Sequence, residues 1–348
     1  MTSTAAPIDF GLAPAVVPAG ILFAVGVVIA ALFLPFYIAA MKRSGRAQPV
    51  REQGPPTHLD KGKVPTGAGV VFIVLALLTI ALQAYFFRVK PYQREVQGVF
   101  LWCTGYAVLI GVIGTADDFM KVASKSTKGI LARYKLAAQV ILSATFAWVY
   151  WHLSSSALSQ SETFAPYSRV PAWLLVVVAA LIMPALVNGF NFTDGLDGLA
   201  GGCAVVSLVG LAGVVAPLGV LMVAPIGIIG ALVVFLFFNI KPARVYMGDS
   251  GSYFLGALIA ALCLATGMLW LFFLFGLVYG IELASVMIQV AYFRLTGGKR
   301  IFRMTPLHHH FEMAGAREER IVWAFWAVNG VATIAGVAAG IAVLSPWR

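Results

Sequence analysis

The sequence predicts an all-α polytopic integral membrane protein of about ten transmembrane helices, N- and C-termini outside. Three observations carry that prediction. Hydrophobic residues fill 60% of the 348 positions and charged residues 11%, with a mean hydropathy of +0.90, a balance typical of membrane chains. The apolar residues come in runs near the ~20 needed to cross a hydrocarbon core. The basic residues gather in alternate loops.

The first span, 16–41, is followed by its basic residues, Lys42, Arg43 and Arg46. It therefore reads as a retained span with the N-terminus outside, not as a cleaved signal peptide. The second, 67–87, ends at Arg88, and the third, 96–116, stops at Asp117-Asp118. The fourth is 131–152 and the fifth 171–189, which stops short of Asn191. Leu199 to Ile240 carries no charge and is too long for one pass. It divides at Ala216-Pro217-Leu218-Gly219 into 199–217 and 220–239. Gly251 to Ile281 divides likewise at Thr266-Gly267, giving 252–267 and 269–293, and 320–344 completes the set. Nineteen of the 24 basic residues lie in the loops 42–63, 121–135, 241–244 and 294–320. The positive-inside rule makes that side cytoplasmic. The chain reads as one membrane-embedded domain, 1–348, with a cytoplasmic loop at 294–319.

The net charge of +10 is explained mostly by topology and attraction to anionic headgroups. Lysines interleaved with aspartates also suit a polyanionic substrate. No basic soluble domain or recognised motif supports nucleic-acid binding. Cys103, Cys203 and Cys263 sit in apolar spans without pairing or metal spacing and read as packing residues.

Strongly polar clusters fall at the end of every second span, so they meet on the cytoplasmic face. Asp117 and Asp118 would repel each other there unless a cation or a raised pKa holds them. Lys121 and Lys125, one helical turn apart, offer an anion-binding ridge beside them; a solvated helix end is the competing reading. In Asn191-Phe192-Thr193-Asp194-Gly195-Leu196-Asp197-Gly198 the glycines permit close backbone approach to a ligand. Asp194 and Asp197 supply oxygens there, but the acid at the twelfth position of a calcium loop is missing. Tyr246-Met247-Gly248-Asp249-Ser250-Gly251-Ser252 opens the eighth span. Open backbone N–H groups at that helix start would suit phosphate oxygens, and Asp249 a hard cation. Magnesium fits best, because it uses one or two carboxylates together with substrate phosphates; an N-cap is the competing role. His308-His309-His310 cannot all face one metal from a regular helix or strand, and no cysteine accompanies them, which argues against a closed zinc site. Their imidazoles suit phosphate or sugar oxygens. Glu282, well inside a span and on one face with Gln289, marks either a structural partner or a pathway in the bundle interior.

Together these segments resemble the polyprenyl-phosphate N-acetylhexosamine-1-phosphate transferases, and within them the phospho-N-acetylmuramoyl-pentapeptide transferase family. Asp-Asp-x-x-Lys, Asn-x-Thr-Asp-Gly-Leu-Asp-Gly and Met-Gly-Asp-x-Gly-Ser match the wider superfamily, and the run from Gly297 to Glu312 looks like the muramoyl-pentapeptide branch. The resemblance covers nearly the whole chain. It implies a magnesium-dependent (Mg2+) enzyme of the bacterial inner membrane. That enzyme would pass phospho-N-acetylmuramoyl-pentapeptide from its UDP donor to undecaprenyl phosphate, releasing UMP and making lipid I for peptidoglycan. Residue by residue, it implies Asp117 and Asp118 at the reaction centre, and Asp249 as a catalytic residue and magnesium ligand. It further implies Asn191, Asp194 and Asp197 in the nucleotide-sugar site, and Tyr246 stacked on uracil. Substrate roles are implied for Lys61, Thr66, Lys121, Lys125, Lys135, Asn239, Gly248, Ser252, His308, His309 and His310; Arg133 is the alternative match to Lys135. Thr66-Gly67-Ala68-Gly69 stands where Thr-Met-Gly-Gly is usual, and Ser250 to Phe254 is bulkier than typical. The implied partners are the donor, the lipid phosphate and the bilayer; a homodimer stays open.

The implied reaction exchanges one pyrophosphate bond for another, so it needs no ATP, and the chain lacks a Walker A loop. Asp117 is the expected acceptor of the lipid phosphate's last proton. A related enzyme using UDP-N-acetylglucosamine would share the aspartate motifs, but the segment from His308 to Glu312 argues against it. An ion-coupled transporter would bury several charges near the midplane, where only Glu282 is expected.

Overall fold

The computed structural model describes residues 13–44, 64–86, 91–124, 129–157, 170–215 and 223–344. All regular structure among these residues is helical. In chain order the helices are α1 (Ala13–Arg43), α2 (Val70–Phe86), α3 (Pro91–Ala123), α4 (Ala132–Ala157), α5 (Ala172–Thr193) and α6 (Leu199–Val215). They continue as α7 (Val223–Asn239), α8 (Gly248–Ala265), α9 (Phe272–Phe275), α10 (Leu277–Leu295), α11 (Leu307–Met313) and α12 (Glu318–Leu344). Among the described residues six stretches are long and apolar enough to cross a membrane: Ala19–Arg43, Ala132–Leu153, Ala172–Thr193, Gly248–Ala265, Leu277–Leu295 and Glu318–Val343. Shorter apolar helices lie at Val70–Ala81, Leu199–Val215 and Pro225–Asn239. The chain is a polytopic all-α membrane protein.

α8 lies at the centre. Every residue from Ser250 to Ala265 is buried, as expected of a helix apolar on all sides. Lipid supplies no hydrophobic drive between helices, so close packing of small residues has to hold them. A Cβ on Gly114 of α3 would overlap the Asp249 carbonyl, and one on Gly69 would overlap the backbone of Gly251. Polar side chains add stitches. Tyr150 donates to the Ala265 carbonyl (3.2 Å), Tyr106 shares a hydrogen bond with Ser143 (2.8 Å), and Asn188 donates to Gln139 (2.6 Å). These bonds tie α4 to α3, α5 and α8 at different heights along its length. On the far side Asn329 of α12 donates to the Cys203 carbonyl and to Ser207, both at 3.0 Å. All three cysteines are free and buried.

The helices depart from the expected spans in ways that matter for the site. α3 runs past 116 to Ala123, so Asp117, Asp118 and Lys121 are helical. α5 reaches Thr193 and carries Asn191 on its last turn. α8 begins at Gly248, four residues before the expected 252. The ninth span, expected unbroken over 269–293, is instead a 3-10 turn at Leu269–Leu271, the short α9, and then α10. The break falls at Gly276, which lies so close to Leu186 of α5 that a Cβ there would overlap it. Lys61, Lys125 and the reversal expected at 216–219 lie outside the described residues.

Candidate active site

The ends of α3, α4, α5 and α8 bring two carboxylates and two ammonium groups together. Lys121, one turn beyond Asp117 on α3, places its Nζ 2.6 Å from Asp117 Oδ2 and 3.0 Å from Asp249 Oδ2. Lys135, on the first turn of α4, stands 3.3 Å from each of the same two oxygens. The remaining oxygens are also engaged: Ile130 N–H donates to Asp117 Oδ1 (2.6 Å), and Asn191 Nδ2 donates to Asp249 Oδ1 (3.0 Å). Asn191 Nδ2 also reaches Ser252 Oγ at 2.8 Å. The cation expected beside the acids is therefore present twice over. Lys135, with its ammonium over the Tyr253 ring, is the base that enters the cluster. Arg133 donates to the Tyr134 hydroxyl on the exposed side.

Asp118 faces the other way. Its Oδ1 accepts Asp249 N–H (3.0 Å) and its Oδ2 accepts Ser250 N–H (2.9 Å). These are the helix-start donors that the sequence left open for phosphate. Instead they are closed by a carboxylate from α3, because buried N–H groups need an acceptor. Gly248 makes the contact possible: its φ is +71°, and a Cβ there would crowd Asp118 Oδ2 and Gly67 N. The segment before α2 docks alongside through Tyr246 N–H to Pro65 O (2.8 Å) and Gly69 N–H to Met247 O (2.9 Å). The buried Thr66 belongs to it, its carbonyl accepting from the Tyr37 hydroxyl (2.6 Å).

Beside this cluster, Asp197 and Asn239 shape the loop before α8. Asp197 Oδ1 accepts from the Tyr246 hydroxyl and Oδ2 from Ala243 N–H, both at 3.0 Å. Asn239 accepts Gly198 N–H (3.1 Å) and donates to the Val245 carbonyl (2.9 Å). Burial, then the Asp197 charge, push the Tyr246 hydroxyl well above its usual range, so it remains a donor. Asp194 is pushed up to about 8 by burial, and then by the charges of Asp249, Asp118 and Asp197. A neutral carboxyl there can donate a hydrogen bond. Sequence reasoning passed over Glu318, whose Oε1 accepts Asp197 N–H (3.1 Å). An acid in a helix's first turn reads as ordinary dipole compensation, so its sequence carried no distinguishing signal.

The three histidines sit on α11, each in a different setting. Glu282 reaches up from α10 to accept Leu307 N–H (2.7 Å) and His308 N–H (3.2 Å), and stands 3.3 Å from His308 Nδ1. Of the two roles open to Glu282, the structural one is what the geometry displays. Gln289 does the same nearby, accepting Ile301 and Phe302 N–H at 3.1 and 2.9 Å. His308 is fully buried, with Nε2 against Gly195, where a Cβ would overlap the ring. His309 Nδ1 lies 2.6 Å from Glu312. His310 Nδ1 accepts Arg303 N–H (3.1 Å), which leaves the ring proton of a neutral His310 on Nε2.

Among the described residues no group of three or more His, Cys, Asp or Glu is arranged to hold a metal by itself. Asp249 offers hard carboxylate oxygens of the kind that magnesium takes together with substrate phosphates, and its Oδ2 stands beside Lys121 and Lys135.

Residues 100–267 match the family model described as glycosyl transferase family 4. The chain is 36% identical over 318 residues to a phospho-N-acetylmuramoyl-pentapeptide-transferase of Listeria monocytogenes serotype 4b, covering 90% of this chain and 96% of that protein. It is 36% identical to the enzyme of that name from Shouchella clausii, over 92% and 95% of the two chains. The counterpart in Latilactobacillus sakei is 38% identical, over 86% and 92%.

The closure of α8 by Asp118 yields a stability prediction. Asparagine matches the carboxylate in size but has one oxygen for two backbone donors, so Asp118→Asn should cost about 1–3 kcal/mol. Thermal unfolding in detergent measures this, and an unchanged melting temperature would count against Asp118 as the helix cap.

Proposed function

The chain belongs to the phospho-N-acetylmuramoyl-pentapeptide-transferase family, and we propose that it transfers phospho-N-acetylmuramoyl-pentapeptide from UDP-N-acetylmuramoyl-pentapeptide to undecaprenyl phosphate, giving lipid I and UMP for peptidoglycan. The observation that carries this reading is the convergence of Lys121 and Lys135 on Asp117 and Asp249, with α11 and its histidines seated over Gly195 beside them. Such a site can gather a pyrophosphate and a second phosphate on one membrane face. We place it on the cytoplasmic face of the bacterial inner membrane, with about ten spans and both termini outside. In intact cells, Ala165→Cys should react with an impermeant thiol reagent and Lys125→Cys should not; the reverse pattern would invert the topology.

In the proposed reaction an oxygen of the lipid phosphate bonds to the phosphorus carrying the sugar, and the bond from that phosphorus to the UMP oxygen breaks. The two lysines align the phosphates and offset their charge. The donor's uracil stacks on Tyr246, and His309 and His310 donate to phosphate or sugar oxygens. Magnesium, when bound, would be held by Asp249 with the substrate phosphates and would add charge neutralisation at the pyrophosphate. Asp117, expected to act as the base, has donors on both oxygens, which supports a holding role. Direct attack fits that geometry better than a covalent aspartyl-phosphate. A transporter would need several deep charges, and Glu282, the one expected, is taken up in holding α11.

Purified protein should release UMP in a magnesium-dependent manner when given this donor and undecaprenyl phosphate, and should not do so with UDP-N-acetylglucosamine. Lys135→Met should abolish most of that release while Arg133→Met leaves it near normal. Activity with the N-acetylglucosamine donor would move the chain to the sister specificity.

Asp117→Asn separates base from holder. The second pKa of a phosphate is about 6, so a base is needed mainly at acidic pH. If Asp117 holds the lysines, turnover should fall by a similar factor at all pH values tested. A loss confined to low pH and relieved as pH rises would restore the role of base.

A further inference from the structure

The start of α12 grips the loop that presents Tyr246. Glu318 is 9% exposed, and its two oxygens have separate partners. Oε1 accepts the N–H of Asp197 (3.1 Å), and Oε2 pairs with Lys241 (3.0 Å). Asp197 in turn holds the Tyr246 hydroxyl and Ala243 N–H. Lys241 and Ala243 lie on the same loop, three to five residues before Tyr246. One carboxylate thus fixes that loop twice, once directly through Lys241 and once through Asp197. The neighbouring Glu319 also pairs with Lys241 (3.1 Å), but its side chain is 54% exposed and it is Glu318, not Glu319, that accepts Asp197 N–H.

We infer that Glu318 is a positioning residue for donor binding, holding Asp197 and through it the Tyr246 ring, without itself touching substrate. The inference rests on the reading of Tyr246 as the platform for the donor's base. It also gives the segment from His308 to Glu318 two anchors, Glu282 at its start and Glu318 at its end, so the histidines and Tyr246 hold a fixed separation. Salt pairing alone would make Glu318 and Glu319 equivalent. The hydrogen bond to Asp197 makes them different.

The full-length protein in detergent tests this with three variants. Glu318→Ala should raise the KM for the UDP donor about tenfold, the usual cost of a lost hydrogen bond to a charged group. The KM for undecaprenyl phosphate and kcat at saturating donor should stay within about twofold, since neither depends on the placement of Tyr246. Glu318→Gln should recover most of the loss, because an amide oxygen still accepts Asp197 N–H. Glu319→Ala should behave as wild type. Hydrogen exchange without substrate gives a second readout: amides of 240–247 should lose protection in Glu318→Ala and not in Glu319→Ala. Equal effects of the two alanine changes on donor KM, or a fall in kcat alone, would overturn the inference. So would unchanged exchange at 240–247. A wild-type protein that ignores the muramoyl donor would sink the proposed function instead, and the exchange comparison would still decide whether Glu318 positions the loop.

Discussion

The site depends on carboxylates that close the starts of other helices. An α-helix begins with backbone N–H groups that have no partner within it, and inside a membrane bundle water cannot serve them all. Asp118 supplies the missing acceptor for α8, and Glu282 supplies it for α11. In each case the acid sits on a long helix and the capped helix carries functional groups, Asp249 in one and the histidines in the other. The favourable end of the helix dipole adds to the attraction. Position and stability are thereby joined: Asp249 cannot shift relative to α3 without breaking two buried hydrogen bonds.

With α8 fixed, the rest of the centre follows from charge. Two carboxylates and two ammonium groups share a small, partly buried volume, where interactions are screened less than in water. Their formal charges cancel, so the cluster is tolerable when no substrate is present. Arriving phosphates can compete for the same ammonium groups, which are already aimed at one point. Short side-chain hydrogen bonds join α3 to α4 and α4 to α5, the helices that carry Asp117, Lys121, Lys135 and Asn191.

Much of this was legible in the chain. A cation was expected beside Asp117 and Asp118, with Lys121 and Lys125 on one helical face next to them, and the polar clusters at alternate span ends were expected to meet. The all-helical class followed from composition. What stayed hidden were contacts between distant residues. Nothing local marks Glu318 as a partner of Asp197, because an acid opening a helix is commonplace. The helix start at 248–250 looked open because its acceptor lies more than a hundred residues earlier. The break at Gly276 was missed because an apolar run shows its length but not where its helix is interrupted. Glu282 and Gln289 could be seen to share a face, yet what that face held was the backbone of a loop that periodicity does not describe.

The grip of Glu282 on Leu307 and His308, and of Glu318 on Asp197, also bears on how the protein is made. The groups of the centre are spread from Asp117 to Glu318, across most of the chain. During synthesis the acids and lysines are complete long before the segment that carries the histidines leaves the ribosome. That segment has a seat waiting, formed by α10 and the turn at Gly195, and its far end is tied to the loop before α8 when the first residues of α12 arrive. A nascent or truncated chain therefore holds the charged cluster before the histidine segment is seated, and the complete centre is among the last parts of the molecule to form.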